Sequence, residues 1–175
     1  MTLFDDLPLF GFDVILADPP WHFANYSAAG EAKNPLAHYD CMPLDDIKAM
    51  PVSHLASPDC ALFMWATWPL LPQAIEVMAA WGFTYKTGGA WAKQSSTGEK
   101  WAFGTGYVYR SASEFWIMGT IGAPKQASRS VRNLIVAPTR EHSRKPDQMH
   151  RDIEALYPEA RKLELFAREP REGWT

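Results

Sequence analysis

Cysteine is scarce in this 175-residue chain, which has only Cys41 and Cys60. A small secreted fold stapled by disulfides would carry more, so a packed core has to hold this one. The two cysteines lack metal-ligand spacing, and the five histidines (His22, His38, His54, His142 and His150) form no close pair at helical ligand spacing, so no metal is expected. No apolar run is long enough to cross a bilayer. The stretch from Met1 to Leu9 holds Asp5 and Asp6 and no basic residue, unlike a secretion signal. These absences lead to the expectation of a soluble cytoplasmic protein without a membrane partner. Positive charge is not in excess either. With 17 Lys and Arg against 20 Asp and Glu, the formal net charge is −3, which argues against indiscriminate binding to polyanions.

What is present suits one globular domain over residues 1–175. Hydrophobic residues make up 47% of the chain and charged residues 21%, enough for a sizeable core. The eight tryptophans serve either as bulky core or as stacking surfaces for flat rings. Basic charge is concentrated between Lys125 and Lys145, where Lys125, Arg129, Arg132, Arg140, Arg144 and Lys145 face a single acid, Glu141. This is either a solvated loop or a phosphate-binding stretch, with Arg129, Arg132 and Arg140 as candidate contacts.

Short apolar runs alternate with amphipathic ones. Residues 12–17, 60–65, 114–118, 134–137 and 163–167 read as strands apolar on both faces, as in parallel sheets covered by helices. A helix is predicted over 69–81, with Leu71, Ile75, Met78 and Ala79 as its apolar stripe and Gly82 as its stop. A second is predicted over 146–157, with Met149, Ile153 and Leu156 inward and Pro146 and Pro158 at its ends. The alternation predicts an α/β fold, a mostly parallel sheet with helices on both faces. Ligands bind such sheets at the carboxyl ends of the strands.

Asp18-Pro19-Pro20-Trp21 stands at one of those ends, directly after the first strand. Asp18 is a hydrogen-bond acceptor. The two prolines donate no backbone hydrogen bond, but their carbonyls accept. Trp21 offers a broad ring face. Together they form a socket for a flat ring bearing an amine. The lone pair of an aromatic amine is delocalised into its ring, so the nitrogen is a poor nucleophile. Accepting its hydrogens stabilises the positive charge that develops during methylation, and alignment with an electrophilic methyl group supplies the rest.

At these residues the sequence resembles the adenine-N6 methyltransferase family, which includes the catalytic subunit of the eukaryotic messenger-RNA N6-methyladenosine writer and small bacterial and phage relatives. Phe12 to Trp21 (FDVILADPPW) is similar to the family's catalytic strand and loop, and Tyr39 to a tyrosine lining its acceptor pocket. His142 to Asp147 (HSRKPD) is similar to the cofactor-side loop, and Leu163 to Arg168 (LELFAR) to the cofactor strand. The resemblance implies a Rossmann-like methyltransferase fold with permuted motif order, S-adenosyl-L-methionine as cofactor, and S-adenosyl-L-homocysteine as product. It implies Asp18, Pro19, Pro20 and Trp21 as catalytic residues, with Trp21 and Tyr39 holding the acceptor. Lys145 would pair with the cofactor's carboxylate and Asp18 would face its ammonium. Phe166 would pack on the cofactor's adenine, Arg168 would reach the ribose side, and Glu164, on the same strand, would also bind the cofactor. The implied partner is DNA or RNA containing adenine, and a homodimer or heterodimer stays open. Two other readings stay open as well: a methyltransferase acting on another planar amine such as cytosine N4, and a non-catalytic partner subunit.

Overall fold

The computed structural model describes residues 4, 6–21 and 41–175. The chain runs β1 (Phe12–Ala17), α1 (Leu44–Ala49), β2 (Ala56–Ala66), α2 (Leu71–Ala80), β3 (Thr84–Gln94), β4 (Ser113–Ile121), β5 (Leu134–Pro138), α3 (Gln148–Leu156) and β6 (Lys162–Leu165). The six strands form one sheet in the order β5-β3-β4-β2-β1-β6.

β1 is a strand because its aliphatic residues serve both faces. Ile15 and Ala17 enter one core, and Val14 and Leu16 enter the other, as the two-residue period requires. β2 divides in the same way, with Leu62 and Met64 on the first side and Phe63 and Trp65 on the second. α2 closes the first core with Ala74, Val77 and Met78. α3 closes the second with Met149 and Ile153. Helices therefore cover both faces, as expected.

Four details correct the sequence reading. Residues 134–137 fall in the edge strand β5, where Ile135 is buried but Leu134 and Val136 are exposed, so this run is not covered on both faces. β3 was not expected at all. It is polar and half-exposed along most of its length, and it contains Gly88 and Gly89. A Cβ at Gly89 would fall 2.2 Å from the Trp116 ring, so the glycine admits a tryptophan lying against the strand. β4 was expected as a parallel strand, but it runs antiparallel to both β2 and β3. The β1–β2, β1–β6 and β3–β5 pairs are parallel, so the sheet remains mostly parallel. Last, Ile75 and Ala79 of α2 face solvent. Ala74, Val77, Met78 and Trp81 satisfy helical spacing equally well and are the residues that pack. Gly82 does end the helix, with φ +84°.

β1 lies between β2, which follows α1, and β6, which follows α3 on the opposite face. Its carboxyl end is thus the point where connections diverge to the two faces, the usual ligand crevice of an open α/β sheet. At the far end, Asp13 on β1 accepts from Arg161 just before β6. The guanidinium contacts are 3.0 and 3.1 Å, and the Arg161 backbone N–H adds one at 3.0 Å.

These bonds, chiefly the Arg161 side chain, hold the Asp13 carboxyl at about 2. A depressed carboxyl stabilises the fold above its unfolded value of 3.8, and that contribution fades as pH falls toward 2. Asp13→Asn should therefore lower the melting temperature at pH 7 and weaken the fall in stability below pH 4, as followed by circular dichroism.

Candidate active site

Asp18 leaves the end of β1 and its backbone N–H reaches the Leu165 carbonyl of β6 at 3.5 Å. Its carboxylate lies 3.0 Å from the Lys145 ammonium. Lys145 arrives from the segment before α3 and also meets Glu114 of β4 at 3.2 Å. Glu114 in turn pairs with Lys93 of β3. The result is a row of alternating charge, Asp18, Lys145, Glu114, Lys93, across the strand ends. Trp65 lies beneath it, with the Lys145 ammonium 5.8 Å from its ring. Trp91 and Trp116 meet Trp65 edge-on at 6.4 and 5.2 Å.

Burial alone would lower the Lys145 pKa, but the Asp18 and Glu114 carboxylates outweigh it and hold the ammonium above the ordinary lysine value. Burial likewise pushes Glu114 up, and Lys145 and Lys93 bring it below the ordinary carboxylate range. Glu114 and Lys145 therefore both stay charged at neutral pH.

The approach of Lys145 is fixed by a second cluster. Asp147 accepts from Arg140 at 3.0 Å and from Arg171 at 2.9 Å, and Arg144 stands at 3.8 Å. Arg140 also donates to the Lys145 carbonyl. The hydrogen bond from Arg140, then the charges of the arginines, lowers the Asp147 pKa. Beside the row opens a cleft of about 280 Å3, lined by Asp18, Lys145, His150, Glu164, Phe166 and Arg168 among others. This is near the lower end of small-molecule sites, which hold roughly 300–1,000 Å3. Glu164 is held 2.8 Å from His150. Phe166 has φ +66°, a left-handed conformation that costs a phenylalanine about 1 kcal/mol. The strain falls where the chain turns from β6 into the cleft wall.

Of the residues singled out in the sequence, Asp18, Lys145, Glu164, Phe166 and Arg168 meet at this cleft. Tyr39 lies outside the described residues. Four placements differ from expectation. The Trp21 ring is 8% exposed and belongs to the first core, with its indole N–H donating to the Trp65 carbonyl at 3.0 Å. It is an anchor for the loop rather than an open stacking face. The proline carbonyls are also engaged: Pro19 accepts from the Trp21 N–H at 2.8 Å and Pro20 from the Met42 N–H at 3.0 Å, which leaves one lone pair on each. Arg140 is committed to Asp147 and to the Lys145 backbone. Arg129 and Arg132 precede β5, whose length of about 13 Å separates them from the strand ends.

Lys93, Glu114 and His150 were missed in the sequence. Glu114 opens an otherwise apolar strand, and a charge in that setting was the available signal. Lys93 sits on the strand that was not recognised. Among the described residues, no group of three or more His, Cys, Asp or Glu could hold a metal ion. No helix among them is long and apolar enough to cross a membrane.

The fold and site together define an α/β protein with a charged cleft at the strand carboxyl ends. The MT-A70 family model matches residues 12–175, so the chain belongs to the MT-A70 family. It is 29% identical over 190 residues to the type II methyltransferase M.MunI of Mycoplasma sp, covering 98% of this chain and 78% of the relative. It is 32% identical over 158 residues to the N(6)-adenosine-methyltransferase MT-A70-like protein of Arabidopsis thaliana, covering 90% of this chain and 22% of that protein. To the human N(6)-adenosine-methyltransferase catalytic subunit METTL3 it is 29% identical over 166 residues, covering 93% of this chain. The chain spans 27% of that subunit's length.

Glu114→Gln should leave Lys93 and Lys145 under-compensated in a buried setting. Breaking a buried pair in this way costs about 3–5 kcal/mol, to be read from urea unfolding. The double variant Glu114→Gln/Lys93→Met, which removes one charge of each sign, should recover part of that loss.

Proposed function

We propose that this protein transfers a methyl group from S-adenosyl-L-methionine to the exocyclic N6 amine of adenine in DNA or RNA. The observation that carries this reading is the Asp18–Lys145 pair, 3.0 Å across, at the end of β1 and next to Pro19-Pro20. Membership of the MT-A70 family and its similarity to adenosine-N6 methyltransferases support it.

The cleft fits the cofactor by charge. An amino-acid group is a zwitterion, and the row offers a carboxylate beside an ammonium. Asp18 would take the cofactor's ammonium, and Lys145, fixed before α3, would share its charge with the cofactor's carboxylate. Phe166 and Arg168 would wall the nucleoside side, with Glu164 oriented by His150. When bound, the cofactor supplies an electrophilic methyl group.

The rest of the chemistry falls to this chain. Asp18 and the remaining lone pair of the Pro19 carbonyl accept the hydrogens of the target amine and favour a pyramidal nitrogen. As positive charge develops there, the Asp18 carboxylate stabilises it at close range. Pro20, tied to Met42, and Trp21, tied to Trp65, hold these acceptors still, and pre-organised acceptors need no reorganisation during the reaction. Tyr39 is proposed, on the family resemblance alone, as a residue that helps to hold the acceptor. Arg129 and Arg132 would meet a bound strand away from the target base.

The test uses isotope-labelled S-adenosyl-L-methionine with pools of single-stranded DNA, duplex DNA and RNA, digested to nucleosides and resolved by mass spectrometry. Label should appear on adenine N6, and Asp18→Ala should reduce it at least about 100-fold. Label on cytosine would overturn the choice of base. Unchanged transfer by Asp18→Ala would overturn the site.

A further inference from the structure

The connection from β3 to β4, residues 95–112, leaves the sheet at the edge that carries the charged row. Its base is the Lys93–Glu114 pair itself. It folds back on itself as a built arm. The Ser95 N–H donates to the Lys100 carbonyl at 2.7 Å, Ala102 to Lys93 at 2.8 Å, and Gly104 to Ser111 at 2.9 Å.

From this arm Trp101, Phe103 and Tyr109 project with 64, 79 and 83% of their surface exposed. Tyr107 stands beside them, and Val108 at the turn is held at φ +59°, a costly conformation for a β-branched residue. Grouped rings left in water mark an interaction site. The arm's charged residues are Lys100, Arg110 and Glu99, a net positive balance. The Arg110 guanidinium lies over the Phe103 ring at 4.9 Å.

The chemistry selects an occupant. Rings interleaved with cations and hydroxyls, and spaced by Gly104 and Gly106, match successive bases and phosphates of an unpaired strand. A duplex keeps its base faces stacked and has none to offer these rings. A second copy of the chain would need about 800 Å2 of complementary face on each partner, and the arm's apolar surface is broken by glycine, serine and threonine. Arg129 and Arg132 stand too far from the strand ends to hold the nucleotides next to a target at Asp18, whereas the arm begins there.

We propose that the 95–112 arm stacks the unpaired bases flanking the target adenine, so that the substrate is single-stranded DNA or RNA. The proposal rests on the methyl-transfer reading for the identity of the target.

The experiment measures fluorescence anisotropy of labelled single-stranded 12-mers, DNA and RNA separately, each with one central adenine, binding to the full chain. The variant is Trp101→Ala/Tyr109→Ala. Loss of two stacking rings should raise Kd about 30-fold or more for at least one of the two strands, and leave affinity for S-adenosyl-L-homocysteine unchanged. Strands with abasic flanks should bind the unaltered protein as weakly as intact strands bind the variant, and the variant should not distinguish the two. Ring-dependent binding to DNA, to RNA or to both supports the proposal and names the sugar. Four results overturn it: equal binding by the variant, equal binding of abasic-flanked strands, no binding of any single strand, or a dimer in sedimentation that the variant breaks without changing strand affinity. Ring-dependent binding with no label on adenine would leave the arm standing and remove the methyl-transfer reading. Adenine labelling with ring-independent binding would do the reverse.

Discussion

The half-buried ammonium of Lys145 is the constraint around which the charged edge of the sheet is arranged. Taking such an ion out of water costs several kcal/mol unless carboxylates replace the lost solvent. Asp18 and Glu114 do so at 3.0 and 3.2 Å, and each comes from a different strand. The end of β1, the start of β4 and the segment before α3 must therefore meet at one point. Glu114 then requires Lys93, which fixes β3 beside β4. Asp147 and its arginines hold the backbone from which Lys145 reaches. One charge thus couples local geometry on four elements, and the same charge faces the cleft.

The legible part of the fold was the part written in apolar runs. β1 and the heart of β2 announce themselves because both faces are buried, and α3 because its stripe has one solution. β3 was illegible for a physical reason. It needs Gly88 and Gly89 to admit Trp116, and glycines in a polar, half-exposed run carry no strand signal. The direction of β4 could not be read either, since apolarity does not encode parallel or antiparallel pairing. The face of α2 was misjudged because two overlapping sets of residues satisfy helical spacing.

The site divides in the same way. Asp18, Lys145, Glu164, Phe166 and Arg168 were legible because each sits in a short motif next to a predictable element. Lys93 and Glu114 were not, because their pairing depends on the β3–β4 register, in which Trp91 stands opposite Glu114. The tryptophans show how burial settles what composition leaves open. Trp65, Trp81 and Trp91 are fully buried, and Trp21 joins them as an anchor, while Trp101 stands in solvent on the arm. Asp18-Pro19-Pro20-Trp21 is thus less a socket of free acceptors than a braced loop. Its proline carbonyls and its indole are tied down, and the Asp18 carboxylate is aimed at the cleft.

The most direct test of this account is a calorimetric titration of the unaltered chain with S-adenosyl-L-homocysteine and with 5′-methylthioadenosine, which keeps the nucleoside but lacks the amino-acid group. If Asp18 and Lys145 receive a zwitterion, S-adenosyl-L-homocysteine should bind about 100-fold tighter or more, the worth of two charge-assisted contacts. Equal affinities would mean that the charged row does not hold the cofactor, and would contradict the account at its centre.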